Sequence, residues 1–170
     1  MPTNIEIKAR IHDWEKTRQR AAGLAEVPVE LIEQEDTFFI CPNGRLKLRV
    51  FGPGRGELIF YQRKDVAGTK SSHYLITKTG EPEKLRQVLA ESLGALGRVK
   101  KRRHLYLHGQ TRIHLDEVEG LGTFLELEVV MRPGQEATEG ERKARELMEK
   151  LEIKPEDLIA GAYLDMIVKR

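Results

Sequence analysis

RIHLDEVEGLGTFLELEVV, residues 112–130, is the stretch whose reading decides the fold. Its residues alternate with a period of two, so Ile113 and Leu115 point to one side while Arg112, His114 and Asp116 point to the other. Gly120 and Gly122 mark a turn, after which Leu125, Leu127 and Val129 repeat the apolar face and Phe124, Glu126 and Glu128 the opposite one. The spacing predicts two antiparallel strands that bring Asp116, Glu126 and Glu128 together. Like charges facing one another across strands destabilise a sheet. A divalent cation between them removes that penalty.

Working outward, residues 4–11 alternate in the same way, with Ile5, Ile7, Ala9 and Ile11 on one face and Asn4, Glu6, Lys8 and Arg10 on the other. Asp13 offers an N-cap to a helix that stops near Gly23, anchored by Trp14 and Leu24. Strand character returns over residues 33–40. A turn at Pro42, Asn43 and Gly44 leads to RLKLRV, with Lys47 and Arg49 on one side, and glycines 52–56 lead to ELIFYQRKD, which Arg63 closes. A polar loop precedes the strand HYLITK. Pro82 then begins a helix with Leu85, Val88, Leu89 and Leu93 at helical spacing, ended by Gly94. Residues 99–107, VKKRRHLYL, are basic and extended and pair across Gly109 with the 112–118 strand. Thr138 and Glu141 have capping-box spacing ahead of Ala144, Leu147, Met148 and Leu151, and Pro155 opens a last short helix burying Leu158, Ile159, Leu164 and Ile167.

Composition bounds the function. The 170 residues fit one domain with room for a core, and a charged fraction of 33% in a well-patterned chain points to a folded protein. Lys plus Arg number 29 against 27 Asp plus Glu, a balance too even for a binder of nucleic-acid polymer by bulk charge. Cys41 is the only cysteine, which excludes an intramolecular disulfide and a thiolate cluster. No run has the length of a membrane span, and a cytoplasmic monomer or homodimer is expected.

The fold class expected is α+β: an antiparallel sheet of strands in largely consecutive order, with helices packed on its apolar face. The charged faces then either meet water, as an open sheet allows, or line the inside of a closed barrel. Segregation of sign favours closure. Basic residues gather on KLR, YQR and VKKRR, and acidic ones on LDE and ELE. A tunnel so lined holds a cation at one wall and a polyanion at the other.

These pieces, NIEIKAR, KLR, YQR, VKKRR, RIHLDEV and FLELEV, resemble in order and spacing the CYTH, or triphosphate tunnel metalloenzyme, superfamily, which includes class IV adenylyl cyclases and thiamine and inorganic triphosphatases. The resemblance covers most of the chain as a single CYTH-like domain over 1–170. It implies a closed antiparallel β-barrel tunnel of about eight strands with helices outside. The family opens on two glutamates and a lysine at alternate positions. Glu6 and Lys8 match the second and third, with Asn4 in place of the first. Lys47, Arg49, Arg63, Lys101 and Arg103 look like its phosphate clamp, joined by Arg112, which either contacts phosphate or neutralises Asp116. A register shift of one would substitute Lys100 and Arg102.

Glu6, Asp116, Glu126 and Glu128 look like the family's site for Mg²⁺ or Mn²⁺, hard cations that bridge phosphate oxygens. Glu6 and Lys8 are the implied catalytic residues, with Lys8 placing the nucleophile or pairing with Glu6. His114 reads as a hydrogen-bonding spacer, Trp14 and Cys41 as structural, and Tyr163 and Asp165 as helix packing or a closure of one tunnel mouth. A metal-dependent phosphohydrolase acting on a triphosphate-bearing small molecule or inorganic triphosphate is the leading expectation. A cyclase making cyclic AMP and pyrophosphate from ATP, and a noncatalytic polyphosphate or nucleotide binder, are the alternatives.

Overall fold

Alternation governs most of the chain in the computed structural model, which describes every residue except Met1, Asp65, Lys169 and Arg170. The elements run β1 (Thr3–Arg10), α1 (Trp14–Leu24), β2 (Glu30–Phe39), β3 (Arg45–Gly52), β4 (Arg55–Arg63), β5 (Lys70–Thr79), α2 (Pro82–Leu93), β6 (Ala95–His108), β7 (Thr111–Val118), β8 (Gly122–Val130), α3 (Ala137–Lys150) and α4 (Tyr163–Val168). The eight strands close into an antiparallel barrel in the order β1-β5-β4-β3-β2-β6-β7-β8. Closure leaves no sheet edge unpaired.

Consecutive order holds within two meanders, β2 to β5 and β6 to β8, and fails at their seams. The reason is the length of two connections. α1 carries the chain from β1 past its neighbours to β2, and α2 carries it from β5 to β6. β1 is therefore the closing stave, paired with β8 on one side and β5 on the other.

The apolar outer faces of β1, β7 and β8 form the main core. Ile5, Ile7, Ile113, Leu115, Leu125, Leu127 and Val129 pack under Ala21 of α1 and Ala144, Leu147 and Leu151 at α3. Full burial of one such Leu or Ile side chain contributes about 1.5–3 kcal/mol. α3 lies directly on β1 at Gly140, where a Cβ would come within 2.7 Å of Ile5 Cγ1. Asp13 caps α1, accepting from the Lys16 amide at 3.2 Å, as its position predicts.

Three local expectations are corrected. α3 begins at Ala137 with Glu136 as a cap that makes no side-chain bond, so Thr138 lies inside the helix and the Thr138–Glu141 box does not form. α2 covers less than its stripe suggests: Val88 and Leu93 remain exposed, the helix touching β2, β3, β4 and β6 only lightly. Pro155 opens only a 3₁₀ turn to Asp157. Leu158 then bridges to Ala9 in extended form, and α4 is a separate helix turned into the barrel end. There Tyr163 and Leu164 join Phe38, Ile59, Tyr61, Val99, Val118 and Phe124 in a second apolar cluster. Among the described residues no helix is long and apolar enough to cross a membrane.

Candidate functional site

Strand pairing stacks the inward-facing side chains in layers along the barrel axis. The apolar cluster with α4 forms a floor. Above it lie two charged layers, and around the open mouth stand Ile32, Phe51, Glu57, Ile76, Leu105 and Arg112. The enclosed cavity measures about 370 Å³. All the sequence-derived candidates line it except Asp116.

The basic wall is built on β3, β4 and β6. Lys101 and Arg103 are each only 5% exposed, whereas Lys100 and Arg102 face solvent, which fixes the register of VKKRR. Sequence reasoning missed the residue that organises this wall. Asp36 of β2 accepts two hydrogen bonds from Arg49 at 2.9 Å, with Lys47 Nζ at 3.4 Å and Lys101 Nζ at 3.8 Å. Three cations share one carboxylate. Burial pushes Asp36 upward, but Arg49, Lys47 and Lys101 more than offset it and hold the group well below the usual carboxylate range. Burial and the neighbouring Arg49 lower Lys47 to about 8. Arg63 gives one bond to Glu6 at 3.2 Å, while its buried Nε and Nη2 have no partner among the described residues.

Asp116 stands behind this surface. Both its oxygens accept from Arg103 at 2.8 Å, and the Tyr163 hydroxyl donates to Oδ2 at 2.9 Å. Its side chain is fully buried, and although burial raises it, Arg103 holds the group down at about 2. Its role here is to fix Arg103 rather than to face the cavity. Tyr163, weighed from sequence as a mouth residue or helix packing, sits at the floor instead. Its ring lies 3.9 Å below Lys8 Nζ. Lys8 also donates to Gly161 O at 3.3 Å and pairs with Glu126 at 3.5 Å, so its carboxylate partner is Glu126 and not Glu6.

The acidic wall is formed by β1 and β8, where Glu6 and Glu128 are direct register partners. Burial first, and Glu128 second, raise Glu6 to about 7 despite Arg63. Glu126 carries ion pairs to Lys8 and Arg103, which with burial opposed keep it well below the usual range. Arg112 stands at the mouth 3.9 Å from Glu128, with its side chain half exposed. His114 of β7, read as a spacer, is buried with Nδ1 3.8 Å from Glu126 and without a hydrogen-bond partner at that atom among the described residues.

Among the described residues no group of three or more Asp, Glu, His or Cys is gathered as a ready metal cluster. Two carboxylates nevertheless face one another at Glu6 and Glu128, and Asn4 on the same strand is buried, lines the cavity and leaves Oδ1 without a partner. Like charges held together, and an unmatched amide oxygen near them, are a donor set that fits a hard oxygen-seeking cation. Asn4 occupies the inward position expected for the missing glutamate, supplying an oxygen but no charge.

Comparison with known proteins agrees with this architecture. The family described as CYTH domain matches residues 2–163. A Methanocaldococcus jannaschii protein provisionally named an adenylate cyclase is 25% identical over 170 residues, covering 95% of this chain and 97% of that one. The solved PH1012 protein of Pyrococcus horikoshii superposes with a TM-score of 0.83 at 25% identity, covering 95% and 98% of the two chains. The Hippeastrum protein HpAC1, provisionally named an adenylyl cyclase and described as revealing a dominant triphosphatase activity, gives 0.63 at 16% identity over 94% and 91%.

Proposed function

Because the chain belongs to the CYTH domain family, we propose that it is a phosphohydrolase that draws a triphosphate group, free or attached to a small molecule, into the cavity and cleaves a phosphoanhydride bond. The observation that carries this reading is the pair of donors on buried Arg63 left unmatched among the described residues, beside a wall where Lys47, Arg49 and Lys101 converge on the one carboxylate of Asp36. Unmatched buried donors cost free energy, and phosphate oxygens are the acceptors that suit a guanidinium. The cavity thus has positive charge to offer an anion.

In the reaction, water attacks the terminal phosphorus, one new P–O bond forms, and the bond to the leaving diphosphate breaks. Lys47, Arg49, Arg63 and Lys101 bear the charge that moves onto the leaving oxygens. Glu6 orients the attacking water, whose proton leaves on the phosphate product, and its raised value of about 7 belongs to the metal-free cavity. Lys8, tied to Gly161 and Glu126, holds the acidic wall in place. Glu6, Glu126 and Glu128, with Asn4, would hold a divalent cation, Mg²⁺ or Mn²⁺, which when bound supplies Lewis-acid neutralisation of phosphate charge. The name of the M. jannaschii relative supports a second reading, in which a ribose hydroxyl of ATP attacks the α-phosphorus and diphosphate leaves.

The test is a product assay with inorganic triphosphate and with ATP, each with Mg²⁺ or Mn²⁺. Release of phosphate is the expected result, reduced at least about 100-fold in Glu126→Gln and in Glu128→Gln with circular dichroism unchanged. Cyclic AMP with diphosphate would move the assignment to the second reading. Binding without any product would make the protein a noncatalytic binder, and undiminished turnover in both variants would remove the proposed acidic site.

A further inference from the structure

Every strand of the barrel has two neighbours, but not along its whole length, so the rim is uneven. β5 pairs with β4 over residues 72–79, whereas β1 meets it only over residues 70–73, and one further bond runs from the Tyr74 amide to Pro2 O. Above that point no strand among the described residues lies on the β1 side of β5. Backbone groups alternate in direction along an extended chain, so the Tyr74 bond fixes which ones are left over. The N–H and C=O groups of Ile76 and Lys78 point away from the barrel wall, while those of Leu75 and Thr77 face β4. Residues 75–78 are all exposed, Leu75 at 53% and Ile76 at 48%. A bare apolar margin of unpaired backbone groups is a template for another strand. Two other overhangs lack this character. On β2, residues 30–34 pass beyond β3 but carry Glu30 and Glu33, which repel a like strand. On β6, residues 95–100 pass beyond β7 but lie against α4, where Leu164 sits on Gly97.

We propose that the overhang of β5 is the contact through which two copies of this chain associate, β5 pairing antiparallel with the partner's β5 about a two-fold axis at Thr77. This register sets Ile76 opposite the partner's Lys78, and the two exchange their unpaired N–H and C=O groups. Shifting the axis to Ile76 would bring the partner's Lys78 against Tyr74, where Pro2 already stands. Shifting it to Lys78 would set two ammonium groups face to face, which destabilises a sheet. At Thr77 the aliphatic stem of each lysine covers an isoleucine instead, and its charge keeps Glu57 as the cross-strand neighbour on β4. On the outer face, Leu46, Phe60 and Leu75 form one row across β3, β4 and β5, and the pairing carries that row on to the second barrel. Both copies use up the same overhang, so association stops at two. The contact is short, which makes it reversible, and it is independent of the reaction proposed above.

The experiment is sedimentation equilibrium of the full chain, without ligand, from about 1 μM to about 1 mM, the range of a small reversible interface. A monomer–dimer equilibrium is the expected result. Lys78→Pro deletes an amide that makes no bond within the chain, and should weaken the dimer about tenfold or more. Ile76→Lys, facing the partner's Lys78, should weaken it about threefold or more, and Ile76→Glu should tighten it by a similar factor. Amide exchange supplies a second reading: the Ile76 and Lys78 amides should slow as concentration rises, and those of Leu75 and Thr77 should not. A monomer throughout the range refutes the proposal. So does growth beyond two, a dimer indifferent to Lys78→Pro, or equal weakening by both charges at position 76, since each would place the contact elsewhere.

Discussion

Glu6 is the residue in which the competing demands of this cavity are most visible. Its carboxyl is crowded by burial and by Glu128 on the facing strand, and a single bond from Arg63 relieves it only in part. The native protein therefore keeps a proton that the unfolded chain has released, throughout the interval from the ordinary glutamate value of 4.5 to about 7. Where the native state binds more protons, stability falls as pH rises. Ligand-free protein should lose stability across that window and level off above it. Urea titrations at stepped pH should show this decline, and Glu6→Gln should flatten it; a decline that survives the substitution would assign it to another group. Asp36, Asp116 and Glu126 act with the opposite sign at lower pH, since their depressed values make protonation the destabilising event.

At the scale of elements, α4 is the part whose position matters most. The six residues Tyr163–Val168 are too few to be stable alone in water. They are held by Tyr163 and Leu164 in the floor cluster and by Arg45, which donates to Asp165 at 2.6 Å. Tyr163→Phe keeps the ring under Lys8 and deletes the donor to Asp116, so chemical denaturation should report a loss of about 1–2 kcal/mol. A neutral result would mean that Arg103 alone satisfies Asp116. Sequence patterning had no access to this contact, because 47 residues separate Tyr163 from Asp116 and nothing periodic links them. By contrast β1, β7 and β8 were legible, since their apolar residues alternate strictly with polar ones. β2 was legible as a strand over residues 33–40 but not in its facing: Glu33, Glu35 and Thr37 on its outer face are as polar as Gln34 and Asp36 within, so a period of two does not tell inside from outside there and Asp36 went unseen. The cations it organises were legible only because the strands bearing them have an apolar opposite face or match a family motif.

For the molecule as a whole, closure converts a charge pattern into a ligand-dependent stability. Buried cations that share too few carboxylates favour any polyanion that enters, and an anion that binds the native state alone stabilises it by mass action. Inorganic triphosphate at 100 times its dissociation constant should add about 2.7 kcal/mol to unfolding. A melting temperature rising with ligand concentration would register this, and the rise should shrink in Arg63→Ala. No shift at saturating ligand would show that the barrel interior is not the binding site. Long-range closure itself was foreseeable from sign segregation and family resemblance together. The seams between the two meanders were not, because alternation is blind to which strands become neighbours.

A floor of packed side chains and helix also dictates traffic. With α4 and the aromatic cluster sealing one end of the described barrel, whatever enters must back out the way it came. Under the proposed phosphohydrolase reading, threading is thereby denied: a long chain of phosphates would present only its tip, to be trimmed one end at a time, and departing fragments would clear the doorway before a successor is admitted.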